Sequence, residues 1–510
     1  MRRTVLIGSA VATVLVATAV PAPAQAAVDE VNTKRLRNAV TVNGIMAHER
    51  VFQRIANQNG GTRASGTPGY AKSAEYVKNR LTAAGYQVTE QEFTFPFFRD
   101  LAPATVAQVS PTPTTYTTHT FTYSGSGDVT GRVVAIDLQI PPGATPSSST
   151  SGCEASDFPA ASATEPQIAL LQRGTCTFGV KAANAAAAGY DAAIIFNEGQ
   201  PGRTDLLTGT LGAPVPIPVV GLSFAEGKAI YDATVAGATV LRVVASTETD
   251  LAAKTTNIIA DSKGGNADKV VVVGAHLDSV VEGPGINDNG SGSAGILEIA
   301  EEMARLKIKP RQKLRFAFWG AEESGLLGST YYVQNLSDDA LSSIYANLNF
   351  DMIGSPNYVR FVYDGDGSAT SPAGPVGSGE IESIFTKYFD SQGLASAPTQ
   401  FSGRSDYGPF IAVGIPAGGL FTGAEGIKTE AEAALFGGTA GQPYDPCYHK
   451  ACDTINNVST KALNEMGDAA AHAVQTLAQT RSGLFEDGSR KGKVTKAKAK
   501  KAATQLQAVR

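Results

Sequence analysis

The stretch Val270-Val-Val-Val-Gly-Ala-His276-Leu-Asp278 is an apolar, β-branched run that ends at a histidine. This composition predicts a buried strand with His276 at its carboxyl end. Downstream, the turn-forming sequence Gly285-Ile-Asn-Asp288-Asn-Gly-Ser-Gly292 leads into apolar residues at helical spacing over 296–306. We therefore expect Asp288 to lie where a loop enters a helix.

Two more apolar runs are followed directly by acidic residues. Lys313–Trp319 is predicted to be a strand that delivers Glu322 and Glu323, and Ile344–Phe350 a strand that delivers Asp351. Strands that alternate with helices indicate an α/β fold with a mostly parallel central sheet flanked by helices, and ligands bind beyond the carboxyl ends of such strands. The imidazole and the carboxylates are thus expected along one edge of the sheet.

The candidate metal ligands are His276, Asp288, Glu323, Asp351 and His449. Imidazole and carboxylate suit zinc, and a catalytic zinc keeps about three protein ligands and one open position. Five ligands can serve two such ions only if one carboxylate bridges them, and Asp288 is the candidate bridge. Two zinc ions roughly 3.5 to 4 Å apart can share an attacking water. Glu322, which is not needed as a ligand, is then free to act as general base.

These residues belong to motifs that follow one another along the chain: Gly-Ala-His-Leu-Asp-Ser, Gly-Ile-Asn-Asp-Asn-Gly-Ser-Gly, Ala-Glu-Glu-Ser-Gly-Leu-Leu-Gly-Ser, Asn-Phe-Asp-Met-Ile-Gly and Cys-Tyr-His449. The series resembles the secreted bacterial di-zinc aminopeptidases of the leucyl aminopeptidase type, over roughly residues 35–100 and 255–480. The resemblance assigns each ligand: one zinc to His276 and Asp351, the other to Glu323 and His449, and both to Asp288. It also implies that Glu322 is the base, that Tyr448 helps to polarise the scissile carbonyl, and that the peptide after Asp288 is cis.

Arg404 has two possible roles. It could pair with Asp406 on the surface or, as the resemblance implies, lie near the bound amino end of the substrate and help to stabilise the reaction intermediate. The candidate walls of an apolar specificity pocket, each of which could instead belong to the core, are Met352, Gly403, Phe401 and Phe421.

Residues close to the ligands in sequence could orient them. Asp278 is either a solvated turn residue or, as we prefer, a carboxylate that orients a ligand imidazole, and Asp453 could serve His449 in the same way. The remaining histidines, which have no comparable neighbours and are expected to be ordinary surface or satisfied core residues, are His48, His119 and His472.

Composition and the amino terminus indicate an exported globular protein. The 510 residues are 43% hydrophobic and 17% charged, which fits sizeable cores and neither disorder nor collagen. Residues 1–26 read as a signal peptide: two arginines, an apolar stretch and Ala24-Gln-Ala26 before the cleavage site. The twin-arginine route is also permitted. No other apolar run is long enough to span a bilayer. We expect a secreted, extracellular enzyme.

The four cysteines agree with export, because disulfides persist in oxidising compartments. Three connectivities are possible, and sequence proximity favours Cys153 with Cys176 and Cys447 with Cys452. The second pair would close a small loop around Tyr448 and His449. The alternative, a zinc site built from cysteines, is disfavoured by the wide separation of the two pairs.

The chain is predicted to divide into two domains and a tail. Residues 27–104 and 249–482 would form the peptidase, and 105–248 resembles an inserted protease-associated domain, either a wall that filters substrate or a rigid spacer. Residues 483–510 form a basic tail that could hold anionic cell-wall polymer weakly, fold back on the protein, or simply be a disordered or trimmed extension. Nucleic-acid binding is not expected, because an exported protein with an acidic core lacks a basic folded surface.

Three functions are compatible with these sequence features. The favoured one is an exo-aminopeptidase, acting as a monomer, that removes a large apolar amino-terminal residue from peptides by means of a water bridged between two zinc ions. A glutaminyl cyclase or a carboxypeptidase of similar fold is the second, but Arg404 alone is thin support for binding a terminal carboxylate. The third is a non-catalytic, receptor-like binding protein. Such a protein is expected to have lost metal ligands by substitution, whereas this sequence has all five ligands and the base.

Overall fold

The computed structural model describes residues 28, 30–481 and 483–485, and these build one sheet of 14 strands. The strands are β1 Gln87–Ser110, β2 Thr114–Tyr116, β3 His119–Thr120, β4 Gly127–Ala135, β5 Gln167–Gln172, β6 Ala192–Phe196, β7 Val219–Leu222, β8 Val240–Asp261, β9 Asn266–His276, β10 Gln312–Trp319, β11 Ile344–Phe350, β12 Phe361–Tyr363, β13 Ala397–Thr399 and β14 Ala417–Phe421. Twelve α-helices accompany them in the described residues: α1 Lys34–Arg37, α2 Val42–Gln58, α3 Pro68–Ala84, α4 Phe178–Ala187, α5 Phe224–Ala236, α6 Gly292–Arg305, α7 Leu327–Asn335, α8 Asp338–Ser343, α9 Ser378–Ser391, α10 Gly408–Ala412, α11 Glu430–Phe436 and α12 Thr460–Gln479.

The peptidase part of the sheet centres on β9, which pairs in parallel with β10 on one side and with β11 on the other. Strand β11 in turn pairs in parallel with β14. Every residue from Val270 to His276 is buried, as expected for a parallel strand covered on both faces. The predicted α/β fold with a mostly parallel sheet flanked by helices is confirmed. Because these strands are parallel, their carboxyl ends meet at one edge.

Helices cover both faces of this part of the sheet. Val271 and Val273 of β9 belong to a large core shared with α2, α3, α6, α9 and α12. Val270 and Val272 point to the opposite face and pack with α7, α8 and α10. The alternation follows from the two-residue period of a strand, and the continuous apolar run of β9 is explained by burial of both sets.

A second unit continues the sheet in the order β8-β4-β5-β6-β7-β3. Its two apolar cores are formed on opposite faces, with β5 and β6 contributing to both. Strands β1 and β8 are paired from Gln87↔Asp261 to Ser110↔Val240 and run through both units. The predicted domain boundaries at 104/105 and 248/249 therefore fall inside continuous strands.

Two predicted segments lie outside the described residues: the signal peptide, 1–26, and the basic tail after residue 485. Both stay predictions. Among the helices that the structure describes, none has the length and apolar character needed to cross a membrane.

Candidate metal centre and active site

The carboxyl edge of the central strands brings the five predicted ligands together. His276 Nε2 lies 3.2 Å from Asp288 Oδ1 and 3.2 Å from Asp351 Oδ1. His449 Nε2 lies 3.3 Å from Asp288 Oδ2 and 3.1 Å from Glu323 Oε2. The two carboxylate oxygens of Asp288 therefore face two different imidazoles.

These distances fit zinc. Two donor atoms that are each about 2.0 to 2.1 Å from one tetrahedral ion lie about 3.3 Å apart. The four distances between imidazole nitrogens and carboxylate oxygens fall close to this value. The nitrogen and oxygen donors are of the type that zinc prefers, and Glu323 Oε1 is buried without a hydrogen-bond partner. A cluster of buried carboxylates also needs compensating positive charge, which a divalent cation supplies.

Mutual electrostatics perturb the titration of this cluster in the metal-free protein. Burial lowers the pKa of His276, but the Asp351 and Glu322 carboxylates outweigh burial, so the pKa is raised well above its usual range. Burial also opposes protonation of His449, yet its contacts with Asp288 and Glu323 raise its pKa to about 11. Both imidazoles must therefore release protons before they can bind a metal.

The two adjacent glutamates differ in their surroundings. Burial raises the pKa of Glu322 well above its ordinary value, and burial together with Asp288 raises the pKa of Glu323 to about 7. The backbone N–H of Glu322 donates to Asp278 Oδ1 over 3.3 Å. Glu322 lines the same cavity as the ligands. It is thus placed to carry a proton beside the metal centre.

Asp278 is 1% exposed, which excludes the solvated-turn interpretation. The Nδ1 atom of His276 lies 3.1 Å from the Asp278 backbone oxygen and 3.6 Å from its carboxylate. Both groups are on the far side of the ring from the metal-facing nitrogen. This position suits the predicted role of orienting the ligand imidazole, with the backbone oxygen as the nearer acceptor.

The prediction for Asp453 is wrong. Its carboxylate does not serve His449 but accepts the backbone N–H groups of Asn287 and Asp288, each over 2.9 Å. Asp453 shares a loop with His449, but its side chain points to the turn that carries Asp288. It therefore fixes the backbone of Asp288. The peptide between Asp288 and Asn289 is cis, as the resemblance implied.

Three residues that the sequence did not single out stabilise this edge. Ser405 donates to Asp351 Oδ2 over 2.5 Å, and Asn349 donates to Ser405 over 2.8 Å. Arg63 is fully buried, and its guanidinium donates to the carbonyl oxygens of Leu277, Pro284 and Gly285. Arg63 thereby restrains the loop that connects His276 to Asp288. The only sequence signal was a lone arginine in the small-residue segment Thr62-Arg-Ala-Ser-Gly.

A cavity of about 90 Å³ opens beside the ligands, and its wall includes Met352, Phe421, Arg404 and Tyr448. Two other candidates for this wall lie elsewhere. Phe401 stacks on Tyr363 with ring centroids 5.2 Å apart and belongs to a small aromatic core. Gly403 is not among the lining residues; its N–H donates to the Tyr407 hydroxyl over 3.0 Å.

Arg404 forms an ion pair with Glu425 and not with Asp406. Asp406 is fully buried, so the proposed surface pair does not form. Arg404 instead contacts Glu425 over 2.8 Å and donates to the Tyr448 hydroxyl over 3.4 Å. Burial and the nearby Asp288 raise the pKa of Tyr448, so its hydroxyl keeps its proton and can donate to a substrate oxygen.

Both disulfides join the pairs that sequence proximity favoured. Cys153–Cys176 lies in the inserted unit, and Cys447–Cys452 closes a five-residue separation around Tyr448 and His449. The ring of Tyr448 stacks on that of His449 with centroids 3.8 Å apart. The short covalent loop limits the backbone freedom of both side chains.

The other histidines are accounted for. His48 is buried, with Nδ1 2.7 Å from the Tyr76 hydroxyl and Nε2 3.4 Å from Glu298. His472 stacks on Tyr388. His119 is exposed on β3 in the inserted unit.

A mostly parallel α/β sheet whose carboxyl edge brings two imidazoles together with several carboxylates is typical of a zinc metallopeptidase. The chain belongs to peptidase family M28: residues 257–474 match that family, and residues 129–230 match the PA domain. It is a zinc-dependent aminopeptidase with an inserted protease-associated domain, as the resemblance implied. The cyclase, carboxypeptidase and receptor-like alternatives are set aside.

Known relatives agree. An aminopeptidase from Pseudomonas aeruginosa is 47% identical over 452 residues, which cover 87% of this chain and 82% of that protein. Leucine aminopeptidase 2 from Arthroderma otae is 40% identical, covering 87% and 86% of the two chains. Among solved structures, the aminopeptidase from Aneurinibacillus sp. strain AM-1 aligns with a TM-score of 0.65 at 27% identity, covering 89% of this chain and 98% of that one. A zinc aminopeptidase from Bacillus subtilis aligns with a TM-score of 0.62 at 26% identity, covering 88% and 98%.

Proposed function

We propose that this aminopeptidase uses two zinc ions to remove single, large apolar residues from the amino termini of peptides outside the cell. The observation that carries the two-ion proposal is the orientation of Asp288. Each of its oxygens faces a different imidazole, and each imidazole has a further carboxylate partner, Asp351 for His276 and Glu323 for His449. Three ligands per ion, with Asp288 shared, satisfy the requirement of two catalytic sites.

The protein's own groups would handle the protons. When bound, the zinc ions supply Lewis-acid activation of water and of the scissile carbonyl. Glu322 takes a proton from the attacking water and passes it to the departing amine. Its burial suits this task, because a raised pKa brings a carboxylate closer to the working range of a general acid and base. The Tyr448 hydroxyl donates to the carbonyl oxygen as negative charge develops there.

Removal of one residue at a time follows from how the substrate's amino end is bound. The free ammonium would be held by Glu322 and Asp351, two carboxylates that line the cavity. An acetylated terminus would lose this charge-assisted contact. Arg404, near Tyr448, would help to stabilise the reaction intermediate.

The preferred side chain is inferred from the wall of the 90 Å³ cavity, where Met352 and Phe421 offer apolar surface. Such a wall favours leucine, methionine and phenylalanine over glycine by buried area. The name of the Arthroderma otae relative, a leucine aminopeptidase, supports this preference. Export is supported by the predicted signal peptide and by two disulfides. A monomeric state and a weak cell-wall contact through the basic tail remain predictions.

One experiment tests the number of zinc ions and the recognition of the free amino terminus. Zinc content would be measured by mass spectrometry alongside hydrolysis of leucyl-glycyl-glycine, its N-acetyl form and its carboxyl-terminal amide. We expect two zinc ions per chain, cleavage of the free and amidated peptides, and no cleavage of the acetylated one. One zinc at full activity would refute the two-ion proposal, and cleavage of the acetylated peptide would refute recognition of the free amino terminus.

A further inference from the structure

A second cavity, of about 400 Å³, lies where the peptidase and the inserted unit meet. We call it the junction cavity. The inserted unit contributes His119, Thr122, Tyr123 and Thr210 to its wall, and the peptidase contributes Asp278 and Ser279. Neither unit could form this space alone.

The junction cavity adjoins the metal centre. Glu323 lines both this cavity and the smaller one that holds Met352 and Phe421. The smaller cavity, at about 90 Å³, has room for one side chain, whereas the junction cavity at about 400 Å³ has room for more than one residue. An enzyme that removes one residue needs this asymmetry: a small space before the scissile bond and a larger one after it.

Polar side chains that solvent can reach line part of the junction cavity. His119 and Glu282 are both exposed. Each side chain can form a hydrogen bond with the backbone of a bound peptide.

Apolar surface lies beside these polar side chains. Phe97 and Phe98 of β1 and Tyr123 of the inserted unit line the cavity, and the rings of Phe98 and Tyr123 meet edge to face with centroids 5.9 Å apart. A peptide presents both features, because backbone N–H groups alternate with side chains along an extended chain.

We infer that the junction cavity binds the part of the peptide substrate that follows the scissile bond, and that the inserted domain is therefore part of the peptide-binding site. The inference rests on the metal centre proposed above being the site of cleavage. Polar backbone groups of the departing peptide would meet His119 and Glu282, and its side chains would pack on Phe97 and Tyr123. A domain that served only as a spacer would have no effect on peptide length preference.

The test compares two substrates that differ only beyond the scissile bond: leucinamide, which ends there, and leucyl-glycyl-glycine, which extends into the junction cavity. Thr122→Trp and Thr210→Trp each fill the cavity from the inserted unit. Thr164→Trp is the matched control, because Thr164 is an exposed residue of the same unit and does not line the cavity. His119→Ala removes bulk instead of adding it.

We expect each cavity-filling variant to lower kcat/KM for the tripeptide relative to leucinamide by roughly tenfold or more, mainly through KM. The control keeps the wild-type ratio, and His119→Ala changes the ratio without filling the cavity. The readout is the ratio within one preparation, so a variant that folds poorly still reports it from its active fraction. A wild-type ratio in both tryptophan variants overturns the inference. Failure of the zinc-loaded wild-type enzyme to cleave either substrate would instead overturn the proposed function.

Discussion

Replacing Arg63 by methionine should weaken both the fold and the metal centre. Methionine has similar length but no donors, so the carbonyl oxygens of Leu277, Pro284 and Gly285 would lose their shared partner. The guanidinium also lies over the Phe52 ring, 5.0 Å from its centroid, and methionine could keep part of that contact. The chief loss is therefore the polar one.

The magnitude follows from the three carbonyls. Each buried acceptor left without a donor costs about 1 to 3 kcal/mol, so the loss in stability should be about 3 to 9 kcal/mol. The lower end is expected, because the variant no longer has to desolvate a buried cation, whose burial already lowers the pKa of Arg63 to about 10. The loop held by Arg63 connects His276 to Asp288, so zinc affinity should fall by about 10- to 100-fold, as for other residues that support metal ligands.

Chemical unfolding of the zinc-free protein and competition with a chromogenic chelator would measure these two effects. Arg305→Met is the matched control, since Arg305 is exposed and its pair with Glu302 should contribute no more than about 1 kcal/mol. Arg63→Lys keeps the charge but cannot reach three carbonyls at once, so an intermediate result is expected. Stability and zinc affinity in Arg63→Met equal to those of the Arg305 control would refute the reasoning.

Four further outcomes are expected. Glu322→Gln should keep its zinc and lose about 10² to 10⁴ in kcat, measured with leucinamide, while the exposed Glu75→Gln control changes nothing; near-full activity would remove Glu322 as the base. Asp288→Ala should lose zinc from both positions, and mass spectrometry finding two tightly bound ions would exclude its bridging role. The pKa values of His276 and His449 are raised, so zinc must displace protons when it binds. Zinc affinity should therefore fall as the pH is lowered, by about tenfold per pH unit for each proton displaced. A chelator titration that gives the same zinc affinity at pH 6 and pH 8 would contradict this. A panel of aminoacyl amides should show leucyl, methionyl and phenylalanyl substrates ahead of glycyl ones and poor cleavage after Asp or Glu, whose charge would be desolvated without a partner; charged residues at the top of the ranking would rule out the apolar pocket.

The positions that could be predicted from sequence are those fixed by strand geometry. His276 and Asp351 lie at or just beyond the ends of parallel strands, and Glu323 follows the strand between β9 and β8. Because such strands end at a common edge, an apolar run followed by a ligand was enough to bring these side chains together. Counting ligands predicted that one carboxylate bridges two ions, and this stays a prediction. The structure shows that the two oxygens of Asp288 contact different imidazoles.

The interactions that could not be predicted depend on side-chain direction or on distant contacts. Asp453 is close to His449 in sequence, but chain proximity does not decide which way a carboxylate points. Arg63 lies more than two hundred residues before the loop that it holds, and no sequence period connects the two. Phe401 looked like a pocket residue because aromatic rings suit both pockets and cores, and here it joins a core. The composition change that suggested domain boundaries does not coincide with the ends of β1 and β8.

The inserted domain enters along β1 and leaves along β8, and the two strands remain paired as far as Ser110 and Val240. In terms of chain path, the whole domain is therefore the enlarged tip of a β-hairpin that belongs to the peptidase. The two connection points are neighbours across a ladder, so a short turn could join them without displacing β9 or β10. The inserted domain could thus have been gained, exchanged or lost in a single evolutionary step, because the peptidase sheet that carries the metal ligands stays continuous without it.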